Sequence, residues 1–302
     1  MAPEDRTRRW KDIWPLAIQA FQALGRQYAP AMEDAAAQAG LKSPYWYLLI
    51  VALTFEPQPI SPGRLRIRSP YVSPNLYQKR LEKLVRNGFI MANDRDEHFL
   101  TEEGRTLARR IIQTAYSEMD VLEPIPPVDL SRLSNLLHKL VDACLAAPEP
   151  PGKWCLKISH NLDPGEKAPV VVKIDQHLTD LTAYRDDAHL AAWQPHNLYG
   201  HVWETFTILW QGEASTLDEV HQKLERREYS RLDYAQALQE LSARDWAQEA
   251  SGKFRLTKQG RQIRQQVEDL TESYFFFPWA CLDEKEITRL RKLFVRFRDA
   301  LE

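Results

Sequence analysis

The stretch Ser61–Thr101, SPGRLRIRSPYVSPNLYQKRLEKLVRNGFIMANDRDEHFLT, decides the fold. Ser61-Pro62 and Ser73-Pro74 each join an N-cap residue to proline at the first helical position, where no N–H is needed. The pairs predict two helix starts twelve residues apart. From the second start Leu76, Tyr77, Leu81, Leu84 and Val85 recur at helical spacing, with Gln78, Lys79, Glu82, Lys83 and Arg86 on the opposite face. Asn87-Gly88 stops that helix. Phe89-Ile90-Met91 then reads as a strand, Asn93 to Asp96 as a turn and His98-Phe99-Leu100 as the returning strand.

Helix, turn, helix and hairpin in this order describe a winged helix-turn-helix, and its charge suggests what it touches. Arg64, Arg66, Arg68, Lys79, Arg80, Lys83 and Arg86 are opposed only by Glu82 between Ser61 and Ile90, although the whole chain carries a formal charge of −2. A basic helix face beside an arginine-tipped hairpin suits a DNA major groove, with the hairpin on the neighbouring backbone. The plainer reading is a solvated face.

With 302 residues, 44% of them hydrophobic, the chain has material for two globular domains. No apolar run reaches the roughly 20 residues that span a bilayer, and MAPEDRTRRWKDIW lacks the apolar core of a signal peptide. A soluble cytoplasmic protein is expected. Cys144, Cys155 and Cys281 are too few and too scattered for a disulfide framework or a cysteine zinc site, and read as packing residues.

Outward from the central stretch, residues 6–40 read as a helical leader followed by a second helical piece, AMEDAAAQAG, and YWYLLIVALTF after Pro44 as a buried helix. Thr101 opens a long helix and Asp129 another. The proline-rich segment 148–167 is expected to link two domains, with WCLKIS as a strand or an extended connection. Beyond it the pattern returns. Trp46, Tyr77, Leu81, Leu84 and Phe89 are matched by Trp203, Tyr234, Leu238, Leu241 and Trp246, each 157 residues on. Leu100-Thr101-x-x-Gly104-Arg105 is matched by Leu256-Thr257-x-x-Gly260-Arg261, 156 residues on. The chain therefore reads as two copies of one unit.

Each copy resembles the MarR-type winged-helix regulators: a leading helix, a buried helix, the helix-turn-helix, a wing closing on Leu-Thr-x-x-Gly, a long helix and a terminal helix. The resemblance covers nearly the whole chain. It implies a mainly α fold with small β-hairpin wings, in which two fused winged helix-turn-helix domains, 1–147 and 168–302, meet through a helical interface. It further implies a single-chain pseudo-dimer, monomeric and with two-fold pseudo-symmetry, that binds double-stranded DNA with one recognition helix per half. A small-molecule effector would lodge between the interface helices and a DNA-binding lobe.

On this reading Ser69, Ser73, Asn75, Gln78 and Lys79 face bases, Arg80 and Lys83 contact phosphates or the groove edge, Arg95 sits at the wing, and Arg68 is a further DNA-binding residue. In the second copy Arg231 and Gln236 are the expected DNA contacts. There, however, Asp218, Glu219, Glu225, Glu228, Asp233, Glu240 and Asp245 outnumber the basic residues, so DNA contact is expected to be weaker or lost. Fusion permits such asymmetry.

Three readings of function stand side by side: a DNA-binding transcriptional regulator, a scaffold or sensor that kept the fold and lost DNA, and an enzyme using the segment Tyr184 to His189. No cofactor is expected. Asp186 and His189 lie one helical turn apart but lack a third metal ligand, so no metal site is expected and the segment reads first as a polar network joining the halves. A ligand pocket built from Tyr184, Arg185, Asp187, His189, Trp193 and Trp203 is the alternative, with His160, His177, His196 and His201 scattered around it.

Overall fold

The computed structural model describes the backbone of residues 3–302 and the side chains from Trp10 onward; Met1 and Ala2, the start of the expected first domain, lie outside the described residues. It is mainly helical with two small antiparallel hairpins. Helix α1 (Pro3–Ala37) leads into α2 (Tyr45–Phe55), α3 (Pro62–Arg68) and α4 (Pro74–Arg86). The hairpin β1 (Ile90–Ala92) and β2 (His98–Leu100) follows, then α5 (Glu102–Asp120) and α6 (Pro127–Ala146). After α7 (Trp154–His160) the same order recurs: α8 (Val170–Trp193), α9 (Gly200–Gln211), α10 (Leu217–Lys223) and α11 (Arg231–Ala243). It closes with the hairpin β3 (Ala247–Ala250) and β4 (Lys253–Leu256), α12 (Lys258–Phe276) and α13 (Glu284–Asp299).

Two expectations are corrected. The leader is one continuous helix and not two pieces, although Pro15 and Pro30 interrupt its hydrogen bonding. Its buried face, Trp10, Ile13, Trp14, Ala17, Ala20 and Leu24, packs into the central core and holds both flanks in one line. The WCLKIS run is helical. Its first turn is capped from a distance, because the Asp187 carboxylate of α8 accepts the N–H groups of Cys155 and Leu156 at 2.8 Å each. No local pattern could have signalled that cap.

The repeated Leu-Thr-x-x-Gly has a direct physical cause. In the first copy the Thr101 hydroxyl accepts from the Gly104 N–H and donates to the Gly88 carbonyl, while the Thr101 N–H reaches Phe89 O. In the second copy Thr257 makes the matching bonds with Gly260, Asp245 O and Trp246 O. A Cβ on Gly104 would stand 1.9 Å from Phe89 O, and one on Gly260 2.0 Å from Trp246 O. Each long helix thus starts against the backbone that enters the wing, where only glycine fits.

Two apolar cores lie apart, one built around Leu49, Leu81 and Leu84 of α2 and α4 and the other around Phe206, Leu238 and Leu241 of α9 and α11. A third core is shared between the halves. Leu133, Leu137 and Val141 of α6 and Ile13 and Ala17 of α1 pack with Leu181 and Tyr184 of α8, Phe275 of α12 and Phe294 of α13. Among the described residues no helix is long and apolar enough to cross a membrane.

Candidate nucleic-acid interface and the cavity beside it

Helix α4 buries Leu76, Leu81 and Leu84 and turns Asn75, Lys79, Lys83 and Arg86 to solvent, as amphipathic spacing requires. Gln78 is half-buried and donates to Glu82. Arg95 is exposed in the wing turn, where the Asn93 side chain accepts its backbone N–H. These residues form one open, largely basic surface.

The other expected DNA contacts of the first copy point elsewhere. Ser73 is buried, and its backbone N–H donates to Arg227 O of the second half at 2.8 Å. Arg68 is half-buried and donates to Asp186 of α8 at 2.9 Å. Ser69 and Arg80 line a cavity behind α4. Sequence spacing places a residue on a face of its helix but does not reveal which neighbour occupies that face.

In the second copy Arg231 and Gln236 are exposed, with Arg231 bound to Asp218 at 2.7 Å. The start of α11 is well capped, since Ser230 and Asp233 satisfy each other's backbone N–H groups. Its outer face remains close to neutral.

The two turns preceding α4 and α11 touch. Besides Ser73 N–H to Arg227 O, the Tyr229 hydroxyl donates to Val72 O at 3.2 Å and Lys79 Nζ meets Glu228 at 3.0 Å. The Arg227 guanidinium lies over the Tyr71 ring at 5.8 Å and is gripped by Glu204. Because Ser230 follows Arg227 by only three residues, chain geometry keeps the N-caps of α4 and α11 within about 15 Å of each other. A dimeric reader of two half-sites sets its recognition helices about 34 Å apart.

Behind α4 lies a cavity of about 460 Å3 between α2, α3 and α4 on one side and α7 and α8 on the other. Tyr47, Tyr71, Tyr77 and Trp154 supply aromatic walls, and Arg68, Arg80, Asp186 and Arg227 supply charge. Burial raises the Asp186 carboxyl above the usual carboxylate range, and the Arg68 guanidinium opposes that rise. None of the six residues expected to bind a ligand lines this cavity. The Tyr184 hydroxyl is shared between the carbonyls of Glu149 and Tyr274, Arg185 lies over Phe275, and Asp187 caps α7. His189 faces Thr271, and burial pushes its pKa down to about 4. Trp193 stacks on Trp203 with ring centroids 5.5 Å apart. Likewise His177 stacks near His138, His196 near Trp203, and His201 on Tyr229, while His160 bonds Asp180.

Asp186 and His189 therefore face different neighbours, and among the described residues no cluster of ligating side chains could hold a metal ion. The lining residues missed by sequence reading, Tyr47, Tyr71, Tyr77 and Trp154, left one faint signal: each is an aromatic ring with a polar tip, three of them on helices and Tyr71 in the turn before α4. A family model described as a helix-turn-helix family matches residues 168–302. No curated protein and no solved structure matches the chain.

Proposed function

We infer that the chain is a DNA-binding transcriptional regulator of MarR-like build, a single-chain pseudo-dimer whose first half carries the principal DNA-reading surface. The observation that carries this reading is the exposed face of α4, where Asn75, Lys79, Lys83 and Arg86 stand clear of the core with Arg95 on the adjacent wing. Lysines and arginines on a helix that starts at the turn suit phosphate neutralisation, and Asn75 suits a base edge. The helix-turn-helix match on the other half supports the same class of protein. A small-molecule effector has a place in the cavity behind α4, whose aromatic walls and arginines suit a planar anionic compound.

Replacing Lys79 and Lys83 together by glutamate abolishes retention of random-sequence duplex DNA on this reading while leaving the unfolding transition in place. Unchanged retention would mean that another surface binds. A second reading, a scaffold or sensor without sequence preference, is favoured by the neutral outer face of α11 and by the contact between the two turns. Selection from a random duplex pool separates the two: an enriched motif belongs to the regulator, and its absence to the scaffold.

A further inference from the structure

We propose that the loop Glu225–Ser230 of the second half is an intramolecular competitor for DNA at the N-terminus of α4, so that the described state is an autoinhibited one. The proposal rests on the DNA-binding reading of α4 given above. A recognition helix works through its first turn, whose N–H groups and side chains enter the groove. In this chain the two residues leading into that turn, Val72 and Ser73, and Lys79 in the turn after it are already engaged. Arg227 O takes the Ser73 N–H, Tyr229 holds Val72 O, and the Glu228 carboxylate sits 3.0 Å from Lys79 Nζ, as a DNA phosphate oxygen would. Glu228 adopts a left-handed backbone with φ of 56°, a conformation uncommon outside glycine, and it carries the carboxylate that meets Lys79.

The contact is built to open without unfolding either half. Its pieces are the Ser73–Arg227 backbone hydrogen bond, the Tyr229 hydroxyl on Val72 O, the Lys79–Glu228 and Arg68–Asp186 ion pairs, Tyr71, whose ring lies against Trp193 and whose hydroxyl accepts the Trp193 Nε1–H, and the approach of Pro70 to Gly200, while each lobe keeps its own apolar core. Gly200 provides a wedge. A Cβ there would lie 2.3 Å from Pro70 O and 3.0 Å from Tyr71 N, and the three nearest atoms all belong to the first half, so Gly200→Ala presses first on the contact. Glu228→Gln removes the competing charge by an independent route.

The experiment measures affinity of the full chain for a pool of random-sequence duplexes several helical turns long, together with hydrogen exchange at the Ser73 amide. In the wild type the Ser73 amide is protected. Gly200→Ala exposes it and tightens duplex binding on the order of tenfold, as expected when a state closed nine-tenths of the time is freed. Glu228→Gln tightens binding by a smaller factor. A Ser73 amide that exchanges freely in the wild type overturns the latch. An exposed Ser73 amide in Gly200→Ala with wild-type affinity overturns the inhibition while the DNA reading stands. Failure of the wild type and of both variants to retain any duplex, with Ser73 exposed in Gly200→Ala, removes the DNA reading and the inhibition with it.

Discussion

At the residue scale the most constrained positions are glycines and buried acids. Gly104 and Gly260 each meet a backbone oxygen at a distance no Cβ tolerates. Gly104→Ala is expected to destabilise the protein by about 1–3 kcal/mol, the usual cost of forcing a methyl into a filled site, as measured by urea unfolding. Asp175 is bonded by the Tyr28 hydroxyl at 3.0 Å, and burial raises its pKa to about 7. Its folded pKa lies above the unfolded value, so the folded state holds a proton that the unfolded state has lost between about pH 4 and pH 7. Stability from this group is full below that window and declines as pH rises through it, by up to about 1.4 kcal/mol per unit. Asp175→Asn removes that part of the slope, which unfolding at pH 5 and pH 7 tests. The leucine spacing of α4 and the Leu-Thr-x-x-Gly motif were legible because each is imposed by local geometry. Asp187 was not, because its partners, Cys155 and Leu156, lie on another helix.

At the element scale, helix ends explain much of the architecture. Lys153 is buried with a left-handed backbone, φ 38°, and sends Nζ to the carbonyls of Cys144, Leu145 and Ala147 at the end of α6. It neutralises the negative end of that helix. Asp187 does the converse for α7. Asp187→Ala leaves two buried N–H groups without partners and is expected to cost about 1–3 kcal/mol in urea unfolding. An enzyme relying on Asp187 would instead lose activity at unchanged stability. Helices α4 and α11 illustrate how a shared fold diverges: both bury the same leucine spacing, yet only α4 keeps lysines outside. The family match falls on the half with the neutral helix.

At the scale of the whole molecule, the core shared by α1, α6, α8, α12 and α13 makes the halves interdependent. A chain ending at residue 147 exposes Leu133, Leu137 and Val141, and one starting at residue 168 exposes Leu181, Phe275 and Phe294. Either piece alone is expected to aggregate or lose its thermal transition, as sedimentation and calorimetry would show. By itself the sequence determined the mainly helical order with its two small hairpins, the recurrence of Leu-Thr-x-x-Gly, the basic face of α4 and the near-neutral face of α11. These follow from periodicity, caps and charge, which act over a few residues. Only the tertiary structure decided that Ser73 and Arg68 face the second half, that a cavity lies behind α4, and that the two turns meet. Those facts depend on which surfaces pack together across more than a hundred residues of chain, and the local pattern is the same whichever partner arrives.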